Sequence, residues 1–186
     1  MTRMTSPRHQ QALDMDKLEA LVHYVCYKTH DPAALGAVKL NKILWYADVL
    51  TYVGNGKPIT GETYIKRQFG PVPKHIQKVI KKLEDQGDIV VREVEYHEYP
   101  KREFIAMTKP NLSIFSPEEI STIDYVIDVI THKHTAQSIS MKSHDAIWEL
   151  AEIGEEIPVY SILASKLGEV TEDDVKWAKR VLTKTA

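Results

Sequence analysis

Hydrophobic and polar positions along this chain follow a helical period first, then a strand period, then a helical one again. Leu18, Leu21, Val22 and Val25 recur at helical spacing. Asp16 and Glu19 give a carboxylate N-cap signature, so the pattern predicts a helix over 16–28. His30-Asp31-Pro32 ends it, because proline disfavours a helical conformation in the residue before it. A second helix is expected over 36–53, where Leu40, Ile43, Leu44, Ala47 and Leu50 form one face. Trp45, Tyr46, Val49, Tyr52 and Val53 cover most of the rest. A helix that is apolar nearly all round is buried. This is therefore the expected central helix, with Leu44 and Trp45 inside and Asn41 and Asp48 as polar exceptions on one face.

Gly54-Asn55-Gly56-Lys57-Pro58 reads as a turn. Residues 61–68 read as a strand, favoured by Thr63, Tyr64 and Ile65. Gly70-Pro71-Val72-Pro73 is then expected to open a helix, since proline is tolerated in a first turn. Ile76, Val79, Ile80 and Leu83 make its apolar stripe, and Gly87 is its C-terminal cap. Residues 89–96 and 102–107 read as two strands joined by a polar turn around Pro100. Ser116-Pro117-Glu118-Glu119 combines an N-cap serine, proline at N1 and glutamate at N3, and predicts a helix to about 131. Two short helices are expected over 135–143 and 145–151, then a turn at Gly154-Glu155-Glu156-Ile157-Pro158. Thr171 caps a last helix over about 172–184. The expected fold class is α+β, mainly helical. It has a winged-helix-like core, a small antiparallel sheet and a C-terminal helical extension, although the first strand follows the second helix. Residues 1–13 read as a disordered arm, 14–160 as the domain, and 161–186 as a helical extension packed on it.

The 186 residues are 43% hydrophobic and 27% charged, ordinary for one soluble domain. No run of 18 apolar residues exists, so no transmembrane span is expected. The polar N-terminus lacks the apolar core of an export signal. Cys26 is the only cysteine, which excludes an intramolecular disulfide and suits a reducing cytoplasm. The net charge of −2 hides an asymmetry. Residues 1–82 hold 13 Lys/Arg against 6 Asp/Glu, and the remainder 11 against 20. That pattern fits solvated faces whose halves attract one another, or a basic docking face with an acidic tail.

Candidate chemistry is thin. His132 and His134 point apart on a helix, His144 lies ten residues further, and no C-x-x-C or H-x-x-x-H spacing occurs. No metal or other cofactor is expected. Ser143-His144-Asp145 are consecutive, the wrong geometry for a triad, and His144 is expected to cap a helix or bond backbone. The glycines at 54, 56 and 61 follow no apolar strand and match no phosphate-binding fingerprint. With no assembled catalytic set, the chain reads as non-enzymatic.

Two surfaces remain. Lys74, Lys78, Lys81 and Lys82 lie off the apolar stripe of the basic helix and could touch nucleic-acid phosphates, with strands 89–107 as the wing. Few residues there read base edges; Gln77 is the main candidate. The aromatics Trp45, Tyr46, Tyr52, Tyr64 and Phe69 belong chiefly to the core, but Tyr64 and Phe69 point to opposite faces, so one is expected outside. Tyr64, Lys66, Arg67, Gln68, Phe69, Gly70 and Pro71 are therefore the candidate protein-contact residues. The competing reading is that Gly70-Pro71 only sets an angle between strand and helix.

Lys39-Leu40-Asn41-Lys42-Ile43-Leu44-Trp45-Tyr46-Ala47-Asp48, Ile59-Thr60-Gly61-Glu62-Thr63-Tyr64-Ile65-Lys66 and Phe69-Gly70-Pro71-Val72-Pro73 occur in that order. Ser140, Ser143-His144, Trp148 and Gly154-Glu155-Glu156-Ile157-Pro158 follow. This combination resembles the Panacea (SocA-type) antitoxin domain, also seen in phage-associated proteins of the GepA kind, over about residues 14–160. Trp45-Tyr46 stands where that family has Tyr-Phe, and Pro158-Val159 where it often has Pro-Tyr. The resemblance implies a bacterial or phage type II antitoxin in the cytoplasm. Such a protein neutralises a protein toxin encoded by the neighbouring gene through direct contact, and the resemblance brings no catalytic residue. The alternatives are a DNA-binding transcriptional regulator using helix 74–86, or a phage accessory protein without a toxin partner. A toxic reading frame beside the gene separates the first reading from the others. Oligomeric state is not legible.

Overall fold

The computed structural model describes residues 11–96 and 99–163. The helix expected over 172–184 and residues 1–10 of the expected arm lie outside them. Asp14, not Asp16, caps α1 (Met15–Lys28), its side chain accepting from the Lys17 N–H at 3.0 Å. Residues just before it are held: Leu13 packs on the core and the Asp14 N–H donates to the Thr60 carbonyl at 2.8 Å. α2 (Pro32–Asn55) begins earlier than expected, because Asp31 caps it and Pro32 fits the first turn. Gly36, at φ 65° and ψ 161°, kinks it there. Leu40, Ile43, Leu44, Trp45, Ala47 and Val49 are buried, as an apolar central helix requires, but Leu50 and Val53 are exposed.

β1 (Tyr64–Arg67) and β2 (Gly70–Pro73) form an antiparallel hairpin, with Tyr64 opposite Pro73 and Lys66 opposite Pro71. Gly70 to Pro73 is thus a strand, not the expected first turn of a helix. β2 is an edge strand. Its two prolines, two residues apart, place their missing N–H groups on one side of the strand, away from β1, where the ladder loses nothing. α3 (Ile76–Asp85) then buries Ile76, Val79, Ile80 and Leu83, as its stripe predicts.

β3 (Ile89–Tyr96) and β4 (Tyr99–Ala106) pair antiparallel as a separate two-stranded sheet. α4 (Pro117–Lys133) opens with the expected capping box at Ser116 and Glu119 and buries Ile123, Val126, Ile127 and Ile130. α5 (Ala136–Lys142) and α6 (Ala146–Leu150) start at the caps Thr135 and Asp145. Within the segment expected as a turn, β5 (Glu156–Ile157) pairs with β1.

The chain is α+β and mainly helical. Among the described residues there are two sheets where one was expected, and β1 joins β2 and β5 instead of the β3–β4 hairpin. Lys17–Glu119, Lys28–Asp124 and Lys74–Glu156 pair at 2.7, 3.0 and 3.0 Å, joining the basic first half to the acidic second half. No described helix is long and apolar enough to cross a membrane.

Candidate protein-contact site at the β1–β2 hairpin

Lys42, Trp45 and Asp48 follow one another three residues apart on α2, and together they hold the segment from Thr60 to Pro71. The Lys42 ammonium donates to the Pro71 carbonyl at 3.1 Å. The Trp45 ring meets Tyr64 edge-on, centroids 4.9 Å apart. Asp48 accepts from the Thr60 N–H at 2.8 Å, the Thr60 hydroxyl at 2.6 Å and the Tyr64 hydroxyl at 2.8 Å. Alternation along β1 sends Tyr64 and Lys66 inward, where Lys66 reaches α6. Its ammonium donates to the carbonyls of Ala151 at 3.0 Å and Glu149 at 3.3 Å, and stands 3.9 Å from the Trp148 ring centroid. His144 stacks on Trp148 at 3.6 Å with the rings 1° from parallel.

The tip is fastened from α5. The Ser140 hydroxyl donates to the Phe69 carbonyl at 3.1 Å, and the Ser143 hydroxyl to the Ser140 carbonyl at 2.7 Å. Gly70, at φ 102°, lies so close to Lys42 and Ser143 that a Cβ there would collide with Nζ of the one and Oγ of the other. At the foot, buried Glu62 accepts from the Thr63 N–H at 2.6 Å and the His75 N–H at 3.1 Å, with His75 Nδ1 at 2.9 Å.

Burial sets the electrostatics. Lys42 is 1% exposed with no carboxylate partner among the described residues, and desolvation brings its pKa down to about 7. Burial, then the nearby Lys42 charge, holds His144 below the usual histidine value. Burial pushes Asp48 up against the opposing effect of its hydrogen bonds from Thr60 and Tyr64. Tyr64 is raised well above its ordinary value by burial and by Asp48.

Ser143, His144 and Asp145 each turn to a different partner: the Ser140 carbonyl, the Trp148 ring and the Trp148 N–H. His144 therefore does not cap α6; Asp145 does. No group of three metal-ligating side chains occurs among the described residues.

Residues 40–149 match the family described as Antitoxin SocA-like, Panacea domain. The chain belongs to that family. The matched span contains Lys42, Trp45, Asp48, the whole β1–β2 hairpin, and Ser140, Ser143, His144 and Trp148. In this Panacea domain the motif residues that lie far apart in sequence are therefore one another's hydrogen-bond and stacking partners. No curated protein and no solved structure matches the chain.

The seven expected contact residues divide. Arg67, Gln68 and Phe69 are exposed, Phe69 by 54%. Tyr64, Lys66, Gly70 and Pro71 are buried and do not lie on the surface as expected: Tyr64, fully buried, satisfies Asp48, and Lys66 satisfies two carbonyls of the α6 segment. Lys74, Lys78, Lys81 and Lys82 are exposed on and beside α3. Three of them hold carboxylates: Glu156 at 3.0 Å, Asp85 at 3.3 Å and Glu19 at 2.6 Å. Sequence reasoning missed Lys42 as a site residue. Its signal was available, because a lysine that shares the helical face of Trp45 and Val49 cannot easily reach water.

Proposed function

We propose that this Panacea-domain protein is a non-catalytic antitoxin that neutralises a protein toxin, encoded by the neighbouring gene, by direct contact through Arg67, Gln68 and Phe69. The observation that carries the reading is the mounting of Phe69. Its ring is mostly in solvent, while its carbonyl is bonded to Ser140 and the next residue is wedged against Lys42 and Ser143. An aromatic side chain on a fixed base is the kind of anchor that dominates protein interfaces, because little freedom is lost when it docks. The family supports a protein partner. It acts in the cytoplasm of a bacterial or phage-infected cell, by occupying the toxin and not by turning over a substrate.

The DNA-binding alternative has less behind it. α3 followed by the β3–β4 hairpin keeps the helix-then-wing order. However, Gln77, the main candidate for reading a base, accepts from Arg102 at 3.3 Å, and most of the lysines are neutralised.

The test is co-expression with the neighbouring reading frame. The expected result is restored growth and co-purification, both lost in Phe69→Ala with Arg67→Glu at unchanged melting temperature. Full rescue by the folded double variant removes the hairpin tip from the interface. A neighbouring protein that is harmless on its own removes the antitoxin reading.

A further inference from the structure

Leu50, on the helix expected to be buried nearly all round, is 37% exposed, and Tyr125 of α4 62%. Both line one groove of about 200 Å³ between α2, α4 and α5. Tyr46 and Leu50 form one wall and Tyr125 and Val129 the other, over the buried Val126, Ile130 and Ile139. Its volume falls short of the roughly 300–1,000 Å³ of a small-molecule site, so it takes one or two side chains, not a whole ligand. Exposed apolar side chains gathered in one groove mark a protein contact, as scattered ones do not.

The groove continues the surface of the hairpin tip. On a helix successive residues are turned by about 100°. Along α5, Ser140 holds the Phe69 carbonyl on one side, Ile139 and Lys142 line the groove on the other, and Met141, 67% exposed, covers the outer surface between them. α2 makes the same link. Lys42 holds Pro71, and Tyr46, one turn on, lines the groove and donates its hydroxyl to the Lys142 carbonyl at 3.3 Å. Charge along that path is one-sided. Arg67 at the tip and Lys142 at the groove rim have no carboxylate partner among the described residues. No described Asp or Glu lines the groove, and Asp128, exposed on α4, is bonded to His132 at 3.1 Å.

Resting on the antitoxin reading, we propose that the toxin lays an amphipathic helix in this groove, beside the Phe69 contact. Its apolar face meets Leu50, Tyr125 and Val129, and its acidic edge meets Lys142 and Arg67. Two helices packed side by side leave a groove that a third fills with residues one turn apart. Tyr46 and Leu50 are one turn apart, as are Tyr125 and Val129, so anchors at i and i+4 match both walls. Carboxylates on the partner answer two cations that have none of their own.

The experiment is hydroxyl-radical footprinting of the full chain, alone and with the purified product of the neighbouring gene, beside affinities from titration calorimetry. Leu50, Tyr125 and Phe69 should be oxidised readily in the free protein and several-fold less in the complex. Met107, exposed just after β4, should be oxidised equally in both. Leu50→Lys with Tyr125→Lys should weaken the complex on the order of a hundredfold at unchanged melting temperature. Lys142→Glu should weaken it on the order of tenfold. Footprinting of the wild-type protein keeps the test independent of variant folding. Leu50 and Tyr125 oxidised as fast in the complex as in the free protein overturn the proposal. So do full affinity in the folded double variant, and unchanged or tighter binding by Lys142→Glu. Groove residues already shielded in the free protein, by a second copy or by residues 164–186, overturn it as well. Each of these outcomes leaves the antitoxin reading standing wherever rescue holds, whereas a neighbouring protein harmless on its own removes both.

Discussion

The β1–β2 hairpin has strands of four residues and the β3–β4 hairpin strands of eight, yet the shorter one is fastened at its turn, while the longer is held by side chains buried towards its base and by Lys101 on the Ala33 carbonyl and Arg102 on Gln77. Among the residues of the long hairpin whose burial is described, Ile89, Glu103 and Phe104 are buried, in the half that meets the core. Val90, beside Ile89, and Tyr99, at the far end, are exposed, and Arg92, itself mostly in solvent, pairs with Glu103 opposite it at 2.7 Å. In the short hairpin four positions, Tyr64, Lys66, Phe69 and Pro71, are tied to helices or to the segment just after α6. Asp48 takes Tyr64, Lys66 takes the α6 carbonyls, Lys42 takes Pro71 and Ser140 takes Phe69. A two-stranded ribbon is marginal by itself in water. The contrast teaches that a rigid tip here comes from polar groups supplied by helices, not from strand length. It also carries a liability, since a buried polar bond that loses one partner leaves the other stranded.

Five substitutions test that contrast. Asp48→Ala strands the Thr60 N–H and the hydroxyls of Thr60 and Tyr64, and should cost about 3–5 kcal/mol in chemical denaturation. Arg92→Ala, which breaks the ion pair of the long hairpin, should cost under about 1 kcal/mol. Equal losses would erase the distinction between the two hairpins. Gly70→Ala forces a Cβ into Lys42 and Ser143 at a positive φ, and a loss of about 2–4 kcal/mol is expected, read as a lower melting temperature.

Lys42 sharpens the comparison through pH. Its pKa is about 7 in the fold and 10.5 for an ordinary lysine. Between those values the unfolded chain binds the extra proton, so stability should rise with pH from about 7 towards 10.5. Lys42→Met should remove that rise, by a few kcal/mol across the window; the same slope in both proteins would mean that the lysine is not desolvated. The smallest expected effect on stability is at the tip. Phe69→Ala should stay within about 0.5 kcal/mol of the wild type while rescue is lost.

Segments governed by their own neighbours are legible in the residue order. The capping box of Ser116 and Glu119, the caps Thr135 and Asp145, and the stripe of Ile76, Val79, Ile80 and Leu83 are written within one or two turns. So is the burial of Leu44 and Trp45. Gly70-Pro71-Val72-Pro73 is not legible, because two prolines suit a helix's first turn and an edge strand equally, and only pairing with β1 chooses between them. Even the cap of α1 falls two residues from its expected place, since Asp14 and Asp16 both offer the same chemistry.

By itself, then, the sequence determined helix periods, caps, the central apolar helix and membership of the Panacea family. Each depends on interactions within a few residues or on residue order alone. The tertiary structure decided which of Tyr64 and Phe69 faces inward, and what a lysine inside an apolar helix is bonded to. Phe69 lies in the turn between β1 and β2, and Asp48 and Trp45 of α2 select Tyr64 for the interior. Lys42 is paid for by a carbonyl 29 positions away. A buried polar group needs a partner, and that partner is fixed by packing between distant elements, which no local pattern records.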